Sequence, residues 1–314
     1  MRVLITGGFG FLGGRMAQLL SSSGGHEVLL GSRRRSGPPA WLQSAEVVQT
    51  QWDSAASLET ICARVDVILH LAGMNSQECA ADPVAALEFN ALATARLLRA
   101  ATRQGVKRFV YLSTAHVYGS PLAGVITEES FPVPFHPYAT SHRAGEDAVL
   151  GAQHRGEIEA VVIRLSNAYG APAHKDANCW MLLVNDLCRQ AATTRRMVLQ
   201  SSGQQRRNLV SLTEACRAID HLVRLPAQNS GRHVFNVGGG WSPTIWEAAS
   251  HIQERCSVVL GFLPELTRIP PKDGETGAPL DYRNDLLRHS GFHPEERRDA
   301  EIDRLIEFCK TEFS

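Results

Sequence analysis

No sign of charge predominates in this sequence: 32 Lys and Arg balance 32 Asp and Glu, so the formal net charge is zero. A chain without a global basic field has nothing to recommend nucleic acid or an anionic membrane as its partner. Cysteine is sparse and unpatterned. The seven thiols, at 62, 79, 179, 188, 216, 256 and 309, are odd in number and never form a Cys-x-x-Cys pair. That argues against a disulfide framework and a zinc knuckle, and a reducing cytoplasm is the expected setting. No metal site is expected either, because no helical His-x-x-x-His pair is joined by a third ligand. The first residues run straight into Val3-Leu4-Ile5 without a basic leader, and no window stays apolar long enough to cross a bilayer. Internal repeats and low-complexity tracts are absent.

What the chain does have is alternation. Short β-branched runs at Arg2 to Thr6, Glu27 to Leu30, Glu46 to Thr50, Val65 to Leu71, Lys107 to Ser113 and Ile158 to Leu165 are apolar almost throughout. Between them, Leu12 to Leu20, Pro83 to Ala101 and Tyr138 to Gln153 carry apolar residues at helical spacing. This is the pattern of an α/β fold, a doubly wound parallel sheet of Rossmann type covered on both faces. Beyond Leu165 the rhythm loosens. A helix is expected at Met181 to Ala192, strands at Met197 to Gln200 and Asn208 to Leu212, and a helix at Thr213 to Leu225. The strand His233 to Val237 reads as a return to the sheet, Thr244 to Glu247 as a capped helix start, Leu263 to Pro279 as an irregular loop, and Glu295 to Cys309 as a last helix. The expected division is a dinucleotide-binding domain over 1–165, with a returning strand and helix around 213–256. A smaller C-terminal substrate-binding lobe takes 166–212 and 257–314.

Directly after the first strand comes Thr6-Gly7-Gly8-Phe9-Gly10-Phe11-Leu12-Gly13. A dinucleotide-binding turn needs one glycine for the sharp bend, one for close approach of the backbone to a diphosphate and one for helix–sheet packing; Gly7, Gly10 and Gly13 fall at those places. The second strand ends in Leu30-Gly31-Ser32-Arg33-Arg34-Arg35, where an NAD site usually places a carboxylate for the ribose 2′-hydroxyl. None is present. Ser32 and Arg33 instead offer a small donor and a cation suited to a 2′-phosphate, so NADP is favoured over NAD. Asp53, after the third strand, is a candidate acceptor for the adenine amino group, or else the N-cap of a helix over Ser54 to Cys62.

With these residues, His70-Leu71-Ala72-Gly73, Leu112-Ser113-Thr114-Ala115-His116-Val117-Tyr118-Gly119 and Pro137-Tyr138-Ala139-Thr140-Ser141 stand in the order of an extended short-chain dehydrogenase/reductase. The chain resembles the nucleotide-sugar epimerase, dehydratase and reductase subgroup of that family. Arg164 to Gly170, Arg207-Asn208-Leu209-Val210 and Phe235-Asn236-Val237-Gly238 extend the resemblance over nearly the whole chain. It implies that Thr114 and Tyr138 converge on the oxygen of a substrate alcohol or ketone. Phe11, Leu12, Leu71, Ala72 and Gly73 join the cofactor site, Asn90 supports it from a long helix, and His116, Asn167 and Arg207 contact a nucleotide-sugar. A planar guanidinium such as that of Arg207 suits a diphosphate. The resemblance also implies a homodimer, packed through Pro83 to Ala101 and Tyr138 to Gln153.

Two positions depart from the family. Its lysine, four residues after the tyrosine, favours the phenolate and binds the nicotinamide ribose; here His142 stands in that place. Glu146, one turn further, is spaced to pair with His142 and raise its protonated fraction. Arg143 points elsewhere. The dehydratases follow the threonine with Asp and Glu, whereas this chain has Ala115 and His116, so C4 epimerisation or 4-keto reduction comes ahead of dehydration. The expected function is therefore an NAD(P)-dependent oxidoreductase or epimerase on a nucleotide-activated sugar, with Tyr138 as general acid/base and His142 in the lysine's place. A non-catalytic dinucleotide-binding sensor or scaffold is the alternative.

Overall fold

Alternating side chains of each buried strand enter opposite cores, and this fixes the architecture. In a computed structural model, which describes residues 1–34, 36–226 and 233–313, Val3 and Ile5 pack with the helices Phe11–Ser22 and Leu212–Arg224 on one face of the sheet. Leu4, between them, packs with the helices Ala55–Cys62, Ala93–Arg103 and Pro137–His154 on the other. The same split divides Val110 from Phe109 and Tyr111, and Ile163 from Val162. A period of two with both faces covered leaves no polar side on the strand. Arg35, the last of the three arginines after the second strand, lies outside the described residues.

Seven strands form one parallel sheet: β1 Arg2–Thr6, β2 Glu27–Ser32, β3 Glu46–Gln49, β4 Val67–His70, β5 Arg108–Thr114, β6 Glu159–Leu165 and β7 Val234–Val237. Their order is β7-β6-β5-β4-β1-β2-β3. The chain runs outward from β1 to β3, then returns to the other side of β1 with β4, where Thr6 is in register with His70. Connections leave the carboxyl ends of β1 and β4 in opposite directions, and the crevice so opened is where a ligand site belongs in such a sheet.

A third core lies apart from the sheet. The helices Leu183–Thr194, Ile245–Leu260 and Arg298–Phe313 bury Val184, Leu187, Ile252, Leu305 and Ile306 together. Thr244 caps the second of these in a full capping box with Glu247. That helix packs here, against the helices Leu183–Thr194 and Arg298–Phe313.

Three local expectations need correction, and one pair of strands was not foreseen. The segment Pro83 to Ala101 is not one uniform helix, because Leu87–Leu92 makes a π-helical turn that turns Asn90 into the interior. Within Leu263 to Pro279, residues Glu265–Arg268 form a strand parallel to Arg196–Leu199. A short parallel pair, Gly124–Ile126 with Leu280–Tyr282, gave no periodic signal because each strand is three residues long. Asp53 is not a helix cap: Ser54 takes that position, its side chain accepting from the Ser57 N–H at 3.2 Å.

Candidate cofactor and active site

The glycine turn is built by close backbone packing. Gly7 adopts a left-handed φ of 70°, and a Cβ there would stand 2.9 Å from the Ala72 nitrogen. A Cβ on Gly13 would run into the Gly7 carbonyl, so that glycine lets the helix Phe11–Ser22 sit against the turn. Gly10 is different. Its Cβ would meet only the Gly7 carbonyl, at 3.1 Å, and would otherwise fill the groove in front of the helix. Gly10 is the N-cap of that helix, no side chain caps it and no acid stands in its first turn, which leaves N–H donors for an anion.

The groove measures about 1270 Å³. Gly7, Gly10, Ser32, Arg33, Asp53, Ala72 and Gly73 all line it, as do Arg34, Trp52, Phe89 and Arg96, which sequence reasoning did not nominate. Trp52 packs edge-on against Phe89, at 5.4 Å between ring centroids. An aromatic following the third strand was the available signal, and it was read as packing. Two buried polar atoms of the groove wall, Thr50 Oγ1 and Trp52 Nε1, have no hydrogen-bond partner among the described residues. Buried polar atoms are costly unless paired, so the wall fits a polar ligand. Asp53 is held by Arg96 through a salt bridge, yet its side chain is 93% exposed and still open to one.

Other nominated residues act from behind. Leu12 and Gly13 are buried in the turn, Phe11 and Leu71 pack against the first core, and Asn90 is fully engaged by the protein. Its Oδ1 accepts from the Met74 N–H at 2.8 Å, and its Nδ2 donates to Ser141 Oγ at 3.0 Å. Asn90 therefore holds the loop after β4.

Tyr138 enters from the first turn of the helix Pro137–His154, whose N-cap is His136. Thr114, the last residue of β5, accepts from the His116 N–H at 3.2 Å, and its hydroxyl lies near enough to Tyr138 to pull the phenol pKa down. Burial raises the phenol pKa, with the Thr114 hydroxyl opposing. The His142 ring lies edge-on to Tyr138, 4.6 Å between centroids, and its edge faces the point where a Gly73 Cβ would be, with Nε2 at 3.6 Å.

His142 does not obtain a charge from Glu146. The carboxylate is taken by others: Ser113 Oγ donates to it at 2.5 Å, Arg164 through Nε at 3.0 Å and Nη2 at 2.7 Å, and Arg143 at 3.0 Å. Burial lowers the His142 pKa to about 4 against the residual pull of Glu146, so the imidazole is neutral at pH 7. The expected pairing of Glu146 with His142 is thus corrected: two guanidinium groups already satisfy the acid.

Toward the lobe, burial and the field of Arg207 lower the His116 pKa to about 4. Arg207 Nε, His116 Nδ1 and Ser166 Oγ are buried without hydrogen-bond partners among the described residues. Asn167 Nδ2 donates to the Asn208 carbonyl at 3.0 Å, in the pairing of Asn167–Tyr169 with Leu209–Ser211. Trp180 is a packing residue, stacked with Phe308 and edge-on to Phe313. Among the described residues no group of His, Cys, Asp or Glu is arranged to hold a metal. No described helix is long and apolar enough to cross a membrane.

Sheet order, glycine turn and groove define a Rossmann-type dinucleotide-binding enzyme. Residues 3–238 match the NAD dependent epimerase/dehydratase family, and the chain belongs to it. It is 30% identical over 269 residues to a dTDP-glucose 4,6-dehydratase of Streptomyces niveus, covering 82% of this chain and 78% of that protein. It is equally 30% identical over 282 residues to a dTDP-6-deoxy-L-talose 4-dehydrogenase (NAD(P)(+)) of Kitasatospora kifunensis, covering 87% and 83%. In fold it is similar to MoeE5 in complex with UDP-glucose and NAD, with a TM-score of 0.80 at 23% identity over the full length of both chains.

Proposed function

We propose that this chain is an NAD(P)-dependent oxidoreductase acting on a nucleotide-activated sugar, working as a 4-keto reductase in preference to a C4 epimerase. What supports the reading is the packing of Tyr138 edge-on against the neutral His142, whose ring borders Gly73 of the cofactor groove, with the Thr114 hydroxyl near enough to lower the Tyr138 pKa. When bound, the reduced nicotinamide supplies a hydride to the carbonyl carbon. The proton for the carbonyl oxygen comes from the Tyr138 hydroxyl, with Thr114 holding that oxygen.

Direction follows from the charge state. Among the described residues no cation is paired with the Tyr138 hydroxyl, and burial raises its pKa. The phenol is then the standing form at neutral pH, ready to donate to a developing alkoxide. Oxidation of an alcohol needs the phenolate, which this site disfavours, and an epimerase must begin with oxidation. Ala115 offers no acid for dehydration. Arg207, buried with an unpartnered Nε, is the donor for the diphosphate, and Ser32 and Arg33 favour the phosphorylated cofactor. Exposed Val84 and Leu87 in the segment Pro83 to Ala101 suit a homodimer.

The test is to mix protein and NADPH with a panel of 4-keto nucleotide-sugars and follow cofactor oxidation. Oxidation with at least one of them is expected. Tight cofactor binding with no oxidation across the panel would return the chain to the non-catalytic alternative.

A further inference from the structure

Tyr111 lies in the middle of β5 and is one of the largest fully buried side chains. Its hydroxyl stands 3.1 Å from His142 Nδ1, 3.3 Å from the Asn90 carbonyl and 3.4 Å from the His142 carbonyl. The phenol has one proton to place among these three. The Asn90 carbonyl already accepts from Thr94 Oγ1 at 2.8 Å, and the His142 carbonyl faces the helix hydrogen bonds of its own turn. Thr94 Oγ1 in turn is filled by His70 Nε2 at 2.8 Å, while His70 Nδ1 takes the Thr6 hydroxyl at 2.6 Å. Of the three, Nδ1 of His142 is the closest, and it alone has no other partner among the described residues.

We infer that Tyr111 is a positioning residue for His142: its hydroxyl donates to Nδ1, fixes the imidazole as the Nε2–H tautomer, and so aims an N–H donor at a sugar hydroxyl of the cofactor beside Gly73. A neutral imidazole has one donor and one acceptor, and the bond made at one nitrogen decides the other. The helix is shaped for this contact. A Cβ on Gly145 would collide with the Tyr111 hydroxyl and lie 2.8 Å from the Asn90 carbonyl, so the hydroxyl reaches His142 only because residue 145 is glycine. The inference rests on the groove being the cofactor site.

Two measurements decide it. In protein labelled with ¹⁵N-histidine, His142 is assigned as the signal lost in His142→Gln, and its two-bond proton–nitrogen pattern should be that of Nε2–H. Tyr111→Phe, or Gly145→Ala should the first variant fold poorly, should mix the tautomers and weaken NADPH binding about three- to tenfold. On a His142→Lys background the Tyr111→Phe penalty should vanish, because an ammonium has no tautomer to fix. A wild-type Nδ1–H pattern, or an undiminished penalty on the lysine background, overturns the proposal. If the groove binds no dinucleotide, wild-type binding is silent as well. The tautomer signals still decide the Tyr111 contact.

Discussion

Glu146 and Arg164 form a two-point ion pair sealed inside the molecule, Oε1 to Nε at 3.0 Å and Oε2 to Nη2 at 2.7 Å, with side chains 0% and 3% exposed. The pair ties the helix Pro137–His154 to β6, and Ser113 adds β5. Removing one partner of such a pair leaves the other charge buried alone, which costs about 3–5 kcal/mol. Glu146→Gln should lower the unfolding free energy measured in urea by that order while the folded protein binds cofactor as before. A loss of cofactor affinity without a loss of stability would mean that Glu146 acts on His142 after all.

Three imidazoles make the protein acid-sensitive. Burial holds His70 down to about 3, and His116 and His142 down to about 4, from an ordinary 6.5. Their folded pKa values are depressed, so the unfolded chain binds the protons that the native one refuses. The stability they confer is complete above pH 6.5 and is lost as pH falls toward 4. Unfolding near pH 5 should take up about three protons and stability should fall by about 4 kcal/mol per pH unit. Urea titrations at pH 7, 6 and 5 check the slope. A flat profile would mean that these rings are protonated in the native state.

The sheet was legible because β1, β4, β5 and β6 are buried on both faces and read as unbroken apolar runs. The glycine turn was legible because each glycine answers a separate steric demand. The partners of charged groups were not. Glu146 lies one helical turn from His142, and spacing alone pairs them, but Arg164 reaches the carboxylate from β6, 18 residues on. Trp52 escaped for a related reason: its place in the groove wall depends on Phe89, delivered by the π-helical turn, which leaves no periodic trace.

Cofactor choice turns on the end of β2. Ser32 Oγ accepts from the Arg34 N–H at 3.1 Å, which shapes the turn, and Arg33 and Arg34 line the groove without a carboxylate between them. A charge-assisted hydrogen bond is worth about 1.5–3 kcal/mol. Arg33→Ser should therefore weaken NADP binding roughly tenfold or more and leave NAD little changed, while Ser32→Asp should repel the 2′-phosphate and favour NAD. Equal affinity for both cofactors in the unaltered protein would sink the preference.

Tyr138 carries the sharpest expectation. A positioned proton donor contributes about 10²–10⁴-fold to rate, so Tyr138→Phe should lose that much keto-sugar reduction while binding NADPH normally. In the unaltered protein kcat/KM for reduction should be level through neutral pH and decline only in the alkaline range, where the buried phenol finally ionises and can no longer donate. His142→Lys places a cation beside Tyr138, which stabilises the phenolate and lowers the phenol pKa. The alkaline decline should move to lower pH in that variant, and oxidation of the alcohol at neutral pH should quicken. If the limb stays where it is, the charge at position 142 does not set the protonation of Tyr138, and the preference for reduction loses its physical basis.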